Sequence, residues 1–155
     1  MKIELWVIGK TNEKYLETGI AVFEKRLSHY IPFSLTEIPD VRKQKDSVAL
    51  RHEEGQKILG KISEDDLLIL LDENGKQHTS VEFAGWMEKK LAGYGKKMIF
   101  LVGGAYGFSP EVYSRANDKI SMSKMTFSHQ MVRLFFVEQL YRAMTILRNE
   151  PYHNE

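Results

Sequence analysis

The sequence predicts an α/β fold in which a mainly parallel sheet carries helices on both faces. Two observations lead to this prediction. Short apolar segments typical of strands alternate with segments whose apolar residues recur every three or four positions, as in helices. In addition, residues 67–71 and 98–102 are apolar throughout, which is typical of strands covered on both sides. Strands that alternate with helices in this way form parallel sheets.

The first part of the chain contains two predicted strands and two predicted helices. Residues 3–8 read as a buried strand, and residues 14–30 have the apolar spacing of an amphipathic helix. A short strand follows at residues 33–38. Residues 40–46 form a polar loop with three basic side chains, for which we favour a solvated loop over a nucleic-acid contact. A second helix is predicted over residues 47–61.

The middle of the chain contains a strand, a turn and a capped helix. The strand at residues 67–71 runs into Asp-Glu-Asn-Gly at residues 72–75, a sequence typical of turns. Thr79 and Glu82 have the spacing of a capping box, in which each side chain satisfies the other residue's backbone N–H. The sequence therefore predicts a helix that begins after Thr79 and ends near Leu91.

The last third begins with a strand at residues 98–102, directly followed by two glycines. Ser109 and Pro110 then provide an N-cap and a first-turn proline for a short helix. A short strand is predicted at residues 119–121. One long helix is predicted over residues 129–148.

Composition indicates one globular domain, which we assign to residues 1–155. The chain is 43% hydrophobic and 28% charged, and it contains no cysteine, which excludes disulfides and thiolate metal sites. Its net charge is only +1, so binding of nucleic acid would require a local cluster of basic side chains or recognition of shape. No apolar segment approaches the length of a membrane span. We expect a soluble cytoplasmic protein.

A ligand site is expected where the strands end, because open parallel sheets bind ligands beyond the carboxyl ends of their strands. Leu71, Gly103 and Gly104 lie at two such ends. The two glycines would let the backbone approach a ligand, although a simple tight turn explains them equally well. Residues 121–129 mix hydroxyls with two methionines and a phenylalanine. Such a loop could enclose an adenine and a thioether, or it could pack into the core.

The last helix is apolar almost all round, which indicates burial on most sides and favours a homodimer interface. Arg133 is expected to meet an anion there, either a phosphate or a carboxylate in a structural ion pair. Glu138 and Arg142 are four residues apart and can pair. In the tail, Tyr152 offers a stacking surface and His153 offers an imidazole.

Taken in order, these segments resemble the RlmH family of ribosomal RNA large-subunit pseudouridine methyltransferases, a small branch of the SPOUT class. The resemblance extends over the whole chain. It is strongest in Phe-Leu-Val-Gly-Gly at residues 100–104, in Ser-Lys-Met-Thr-Phe-Ser-His-Gln-Met-Val-Arg at 123–133, in Glu-Gln-Leu-Tyr-Arg-Ala at 138–143 and in Pro-Tyr-His at 151–153. Family members usually have proline where this chain has Ser128, a change that would loosen the turn into the last helix.

The resemblance implies a trefoil knot in the C-terminal part, a homodimer, S-adenosyl-L-methionine as cofactor and no metal. It implies methylation at N3 of a pseudouridine in the large-subunit (23S) ribosomal RNA, within assembled ribosomes. The residues at the family's cofactor positions are Leu71, Gly103, Gly104, Met122, Ser123, Lys124, Met125, Thr126 and Phe127.

The same resemblance, with the chemistry of the side chains, suggests which residues act on the substrate. Either His153 or His129 would remove the N3 proton or orient the group that does. Arg133 and Arg142 would hold phosphate or base, and Tyr152 would stack on the nucleotide. Glu138 is placed with the substrate-binding group.

Two other classes of protein remain open at this point. One is a non-catalytic factor that binds ribosomal RNA during assembly and uses the same fold. The other is a small-molecule α/β enzyme such as a nucleotide hydrolase, which is disfavoured because the sequence lacks a metal-binding carboxylate cluster and a nucleophile motif.

Overall fold

The computed structural model describes residues 1–41, 46–93 and 95–154. Most of the polar loop expected at residues 40–46, including its three basic side chains, therefore lies outside the described residues. The order of elements is the predicted one. Their bounds are β1 (Lys2–Ile8), α1 (Lys14–Leu27), β2 (Phe33–Ile38), α2 (Ser47–Leu59), β3 (Leu67–Gln77), α3 (Ser80–Leu91), β4 (Lys97–Val102), α4 (Pro110–Arg115), β5 (Asp118–Ser121) and α5 (Met131–Leu147).

The strands form one parallel sheet in the order β2-β1-β4-β3-β5. The first strand lies inside the sheet, where Ile3 is opposite Phe33 on one side and Met98 on the other. The prediction of a parallel α/β sheet is confirmed. The trefoil knot stays a prediction, because the strand order does not define how the chain passes through itself.

Helices cover both faces of the sheet, as predicted. Successive residues of β1 alternate between two cores: Leu5 packs into one and Trp6 into the other. The first core also takes residues of α1, α3 and α5, and the second takes Ile58 of α2 and Val112 of α4. Within the described residues, no helix is long and apolar enough to cross a membrane.

The turn predicted at residues 72–75 is wrong, because β3 continues through it to Gln77. Leu71 and Lys76 both lie opposite Ile120 of β5, so the residues between them form a bulge. Gly75 is required at this point. A Cβ there would lie 2.6 Å from the carbonyl carbon of Ile120, closer than any van der Waals contact allows. The turn-forming residues thus bend the strand and do not end it.

The predicted helix caps are present. The Thr79 hydroxyl accepts from the Glu82 N–H at 3.1 Å, and the Glu82 carboxylate accepts from the Thr79 N–H at 3.0 Å. The last helix begins at Met131, two residues later than predicted. Ser128 does not leave the preceding turn loose, because its hydroxyl accepts a hydrogen bond from the Met131 N–H at 3.0 Å.

Candidate active site

A cavity of about 670 Å³ lies at the carboxyl ends of β3, β4 and β5, where the parallel sheet predicts a ligand site. Three segments line most of it: residues 71–74 after the regular part of β3, residues 102–108 after β4, and residues 121–129 after β5, of which Lys124 is not part of the wall. Arg51 of α2 and Tyr113 of α4 complete one side.

Nearly all of the predicted cofactor residues come together in this cavity. Its wall includes Leu71, Gly103, Gly104, Met122, Ser123, Met125, Thr126 and Phe127. Lys124 is the exception, because its side chain is exposed outside the wall. The common location fits the expected role, which itself stays a prediction.

The two glycines after β4 are required by close packing. A Cβ on Gly104 would lie 2.7 Å from a carboxylate oxygen of Glu54, and a Cβ on Gly103 would lie 3.1 Å from the ring of Phe108. The segment also turns, because the Gly107 N–H donates to the Gly104 carbonyl at 3.2 Å. The segment therefore forms a tight turn and also places backbone on the cavity wall. The two explanations for the glycines, a tight turn and an approach of backbone to a ligand, are compatible.

The loop between β5 and α5 is organised by its own hydroxyls, and Met122 packs against the first core whereas Met125 and Phe127 do not. Ser121 donates to the Ser123 carbonyl at 3.0 Å, and the Ser123 hydroxyl accepts from the Met125 N–H at 2.9 Å. Met125 is 77% exposed and Phe127 is 36% exposed, although both are apolar. These apolar side chains are therefore available to a ligand in the cavity or to another chain.

Arg133 does not meet the anion that we expected. It is fully buried, and its guanidinium donates to the carbonyls of Ile8, Gly9 and His129 at 2.8, 3.0 and 3.1 Å and to the Thr11 hydroxyl at 3.1 Å. One planar guanidinium thus donates to carbonyl oxygens at the end of β1 and in the turn before α5. Arg133 thus joins the two ends of the chain, whereas His129 lines the cavity.

The tail packs against α5 and forms a second group of predicted residues. The Tyr152 hydroxyl donates to Glu138 at 2.9 Å, and Arg142 pairs with Glu138 at 2.5 Å, which confirms the predicted pair. Arg142 also contacts the His153 Nδ1 at 3.1 Å and lies 4.8 Å from the centre of the Tyr152 ring. Burial, and then the hydrogen bond to Glu138, raise the pKa of Tyr152. None of these four residues lines the cavity of its own chain.

Sequence reasoning missed several residues at the cavity. Arg51, Asp72 and Tyr113 line it, and Glu54 lies directly behind Gly104. Asp72 could have been found, since it follows Leu71 at the carboxyl end of a buried strand. Arg51 and Glu54 lie on a helix whose position over the sheet cannot be read from spacing. Within the described residues, no group of three His, Asp or Glu side chains is arranged to hold a metal ion.

Glu54 is expected to lower stability at neutral pH. Burial, and then the charge of Asp40, raise the pKa of this carboxyl, while Lys57 opposes the rise. A raised pKa means that the folded protein holds the proton more tightly than the unfolded chain does. The stability gained from the protonated Glu54 carboxyl is therefore fully present below the ordinary pKa of 4.5. It is lost as the pH rises through the raised pKa of the folded protein.

Replacing Glu54 with glutamine should therefore raise Tm at pH 8, by about 2–4 °C for each kcal/mol released. The gain should disappear near pH 4, where the wild-type carboxyl is also protonated. Thermal unfolding followed by circular dichroism at both pH values measures the change in Tm, with the exposed Glu64→Gln as control. A Tm that falls at pH 8 would show that the ionised carboxylate stabilises the fold.

Comparison with known protein families agrees with this fold. A family model described as predicted SPOUT methyltransferase matches residues 1–153. The chain belongs to the SPOUT methyltransferase family.

The resemblance found in the sequence is confirmed by individual relatives. The ribosomal RNA large subunit methyltransferase H of Cytophaga hutchinsonii is 54% identical over 155 residues, which cover 99% of this chain and all of the relative. The enzyme of the same name from Parabacteroides distasonis is 52% identical over the full length of both chains.

A solved structure supports the fold alone. A probable methylase family protein from Haemophilus influenzae Rd KW20 has a TM-score of 0.54 and 17% identity. The match covers 95% of this chain and 66% of that one.

Proposed function

We propose that this chain is an S-adenosylmethionine-dependent methyltransferase that modifies N3 of a pseudouridine in the large-subunit ribosomal RNA. The observation that carries the proposal is the cavity at the strand ends, which gathers nearly all of the residues at the cofactor positions of the RlmH family. The whole chain would act as a single domain with a C-terminal knot, in the cytoplasm and on assembled ribosomes.

The cavity fits a cofactor that combines a nucleoside with an amino acid. Gly103 and Gly104 place backbone groups on the cavity wall, where a flat ring can approach them. Met122 and Phe127 supply apolar contacts on the same wall. At another part of the wall, Asp72 has a buried carboxylate oxygen without a hydrogen-bond partner among the described residues. The lining thus offers both apolar and charged contacts.

When bound, S-adenosylmethionine supplies an electrophilic methyl group on its sulfonium. The chain must then position N3 of the target base and remove its proton. His129 is exposed on the cavity wall and can take that proton from a base held there. Tyr152, held by Glu138, offers a fixed ring for stacking, and Arg142 orients His153 through Nδ1.

Within one chain the tail residues do not line the cavity. A homodimer would bring the tail residues of one chain to the cavity of the other. The last helix needs less external cover than its sequence indicates, since α1 and α3 pack against it within one chain. Exposed apolar side chains remain around the loop before α5, namely Met125, Phe127 and Phe135. These side chains are the surface that a second copy would cover.

The test is methyl transfer to ribosomes from a strain that lacks this protein. Purified assembled ribosomes, the protein and tritiated S-adenosylmethionine should give one labelled site in the large-subunit RNA, which mass mapping should identify as N3-methylpseudouridine. Ribosome binding without cofactor binding in calorimetry would instead support an assembly factor. Absence of both cofactor binding and labelling would exclude the methyltransferase proposal.

The tail should be required for catalysis but not for cofactor binding. We expect His153→Ala and Tyr152→Ala each to lower the rate of ribosome methylation by at least about 100-fold, the scale of a lost acid–base or positioning group. Calorimetric affinity for S-adenosylmethionine should stay unchanged, because neither residue lines the cavity. His29→Ala, at an exposed histidine after α1, is the control. Wild-type methylation by both tail variants would remove the tail from the mechanism.

A further inference from the structure

One side of the cavity carries charge that the predicted cofactor residues do not explain. Arg51 of α2, Asp72 of β3 and Tyr113 of α4 line it together. Three different elements therefore bring a cation, an anion and a hydroxyl to one wall. The rest of the wall holds the exposed Glu73 and His129 and otherwise consists mainly of backbone, hydroxyls and apolar side chains.

The Asp72 carboxylate is only partly satisfied by the protein. Its Oδ1 accepts a hydrogen bond from the Asn74 N–H at 3.1 Å. Its Oδ2 is buried and accepts no hydrogen bond of normal geometry from the described residues. A buried carboxylate oxygen without a donor is costly, so this atom is suited to a ligand that brings a donor or a positive charge.

The hydroxyl of Tyr113 lies close enough to the Asp72 carboxylate and to the Arg51 guanidinium to sense both charges. Burial, and then the Asp72 carboxylate, raise the pKa of Tyr113 to about 12, and Arg51 opposes the rise. Within the described part of the chain, no hydrogen bond or ion pair holds the Arg51 guanidinium. Arg51 is therefore available to an anion beside Asp72.

We infer that Arg51 and Asp72 bind the amino-acid end of the methyl donor: Asp72 Oδ2 accepts hydrogen bonds from the α-ammonium, and Arg51 donates to the α-carboxylate. This inference rests on the proposed function. A zwitterion presents one cation and one anion a few bonds apart, and this wall presents the opposite pair. The glycine segment and the loop after β5 remain free for the adenosyl part.

Binding of three nucleosides distinguishes recognition of the amino-acid end from recognition of the sulfonium charge or of the adenosyl part. S-adenosylmethionine carries the amino acid and a sulfonium charge, S-adenosylhomocysteine carries the amino acid without that charge, and 5′-methylthioadenosine carries neither. We expect Asp72→Asn and Arg51→Gln to weaken binding of the first two equally, by at least about tenfold, as measured by calorimetry. Binding of 5′-methylthioadenosine should stay within about twofold of wild type.

The control is Glu111→Gln, which removes a carboxylate from the surface of α4 outside the cavity. The inference is wrong if Asp72→Asn weakens S-adenosylmethionine alone, because the carboxylate then senses the sulfonium. It is also wrong if all three nucleosides weaken equally, because Asp72 then shapes the adenosyl site. If Asp72→Asn does not fold, Arg51→Gln, at a half-buried position of α2, is tested with the same three nucleosides. A failure of the proposed function would appear in the wild type, as binding of none of the three.

Discussion

Replacing Arg133 with methionine should destabilise the protein by about 3 kcal/mol or more, which corresponds to a fall in Tm of roughly 6–12 °C. Methionine fills much of the same space but leaves three carbonyls and one hydroxyl without the donors that Arg133 gives them. Each buried acceptor without a partner costs about 1–3 kcal/mol. Burial lowers the pKa of Arg133, and the charges of Glu37 and Asp40 oppose this, so the guanidinium stays charged.

Denaturant and thermal unfolding measure this effect, with Lys25→Met on the exposed side of α1 as a control that should change stability by less than about 0.5 kcal/mol. Arg133→Lys should lie between wild type and methionine, because an ammonium cannot reproduce the planar fork of donors. If Arg133→Met has wild-type Tm but no methylation, the residue acts on the substrate, as the family resemblance suggests, and not through the fold.

Replacing Gly75 with alanine should cost about 1–3 kcal/mol, because the new Cβ would meet the backbone of Ile120 at 2.6–2.8 Å. The backbone of β5 cannot move aside as a side chain can, so β3 and β5 must separate at the bulge. The bulge carries Asp72 and Asn74 on the cavity wall, and the affinity for S-adenosylmethionine should therefore fall as well.

Gly85→Ala provides the matched comparison for this prediction. Gly85 lies inside α3, and a Cβ there would meet nothing within 4 Å. The same substitution should therefore stabilise the protein by about 0.5–1 kcal/mol, through helix propensity and a less flexible unfolded chain. Equal changes in Tm for the two variants, measured by calorimetry, would contradict the role assigned to the bulge.

The fold could be predicted largely from local patterns. The apolar runs of β3 and β4 indicate strands covered on both faces, and Thr79 with Glu82 indicates where α3 begins. The bulge after Leu71 was not predictable in this way. Asp-Glu-Asn-Gly is as well suited to a bulge as to a turn, and the pairing with Ile120 that decides between them is a contact distant in sequence.

The site was predictable where residues follow a strand and less so where they come from helices. Gly103 and the loop from Met122 follow β4 and β5, so the topology of the sheet places them at the cavity. Arg133 illustrates the opposite case. Its sequence context indicates a buried charge, but its partners are backbone carbonyls near Ile8, and no side-chain pattern marks those atoms.

The interior position of β1 has a consequence for how the chain acquires its structure. The first strand to be synthesised pairs with β4, whose Met98 is opposite Ile3, and the end of β1 is held by Arg133 of α5. Residues so distant in sequence can pair only after a long loop has closed, and the entropy lost in closure is not offset until the contacts form. Folding is therefore slow. A nascent chain that has emerged only through β3 can pair β1 with β2 but still lacks β4, so one edge of β1 stays unpaired until most of the protein has left the ribosome.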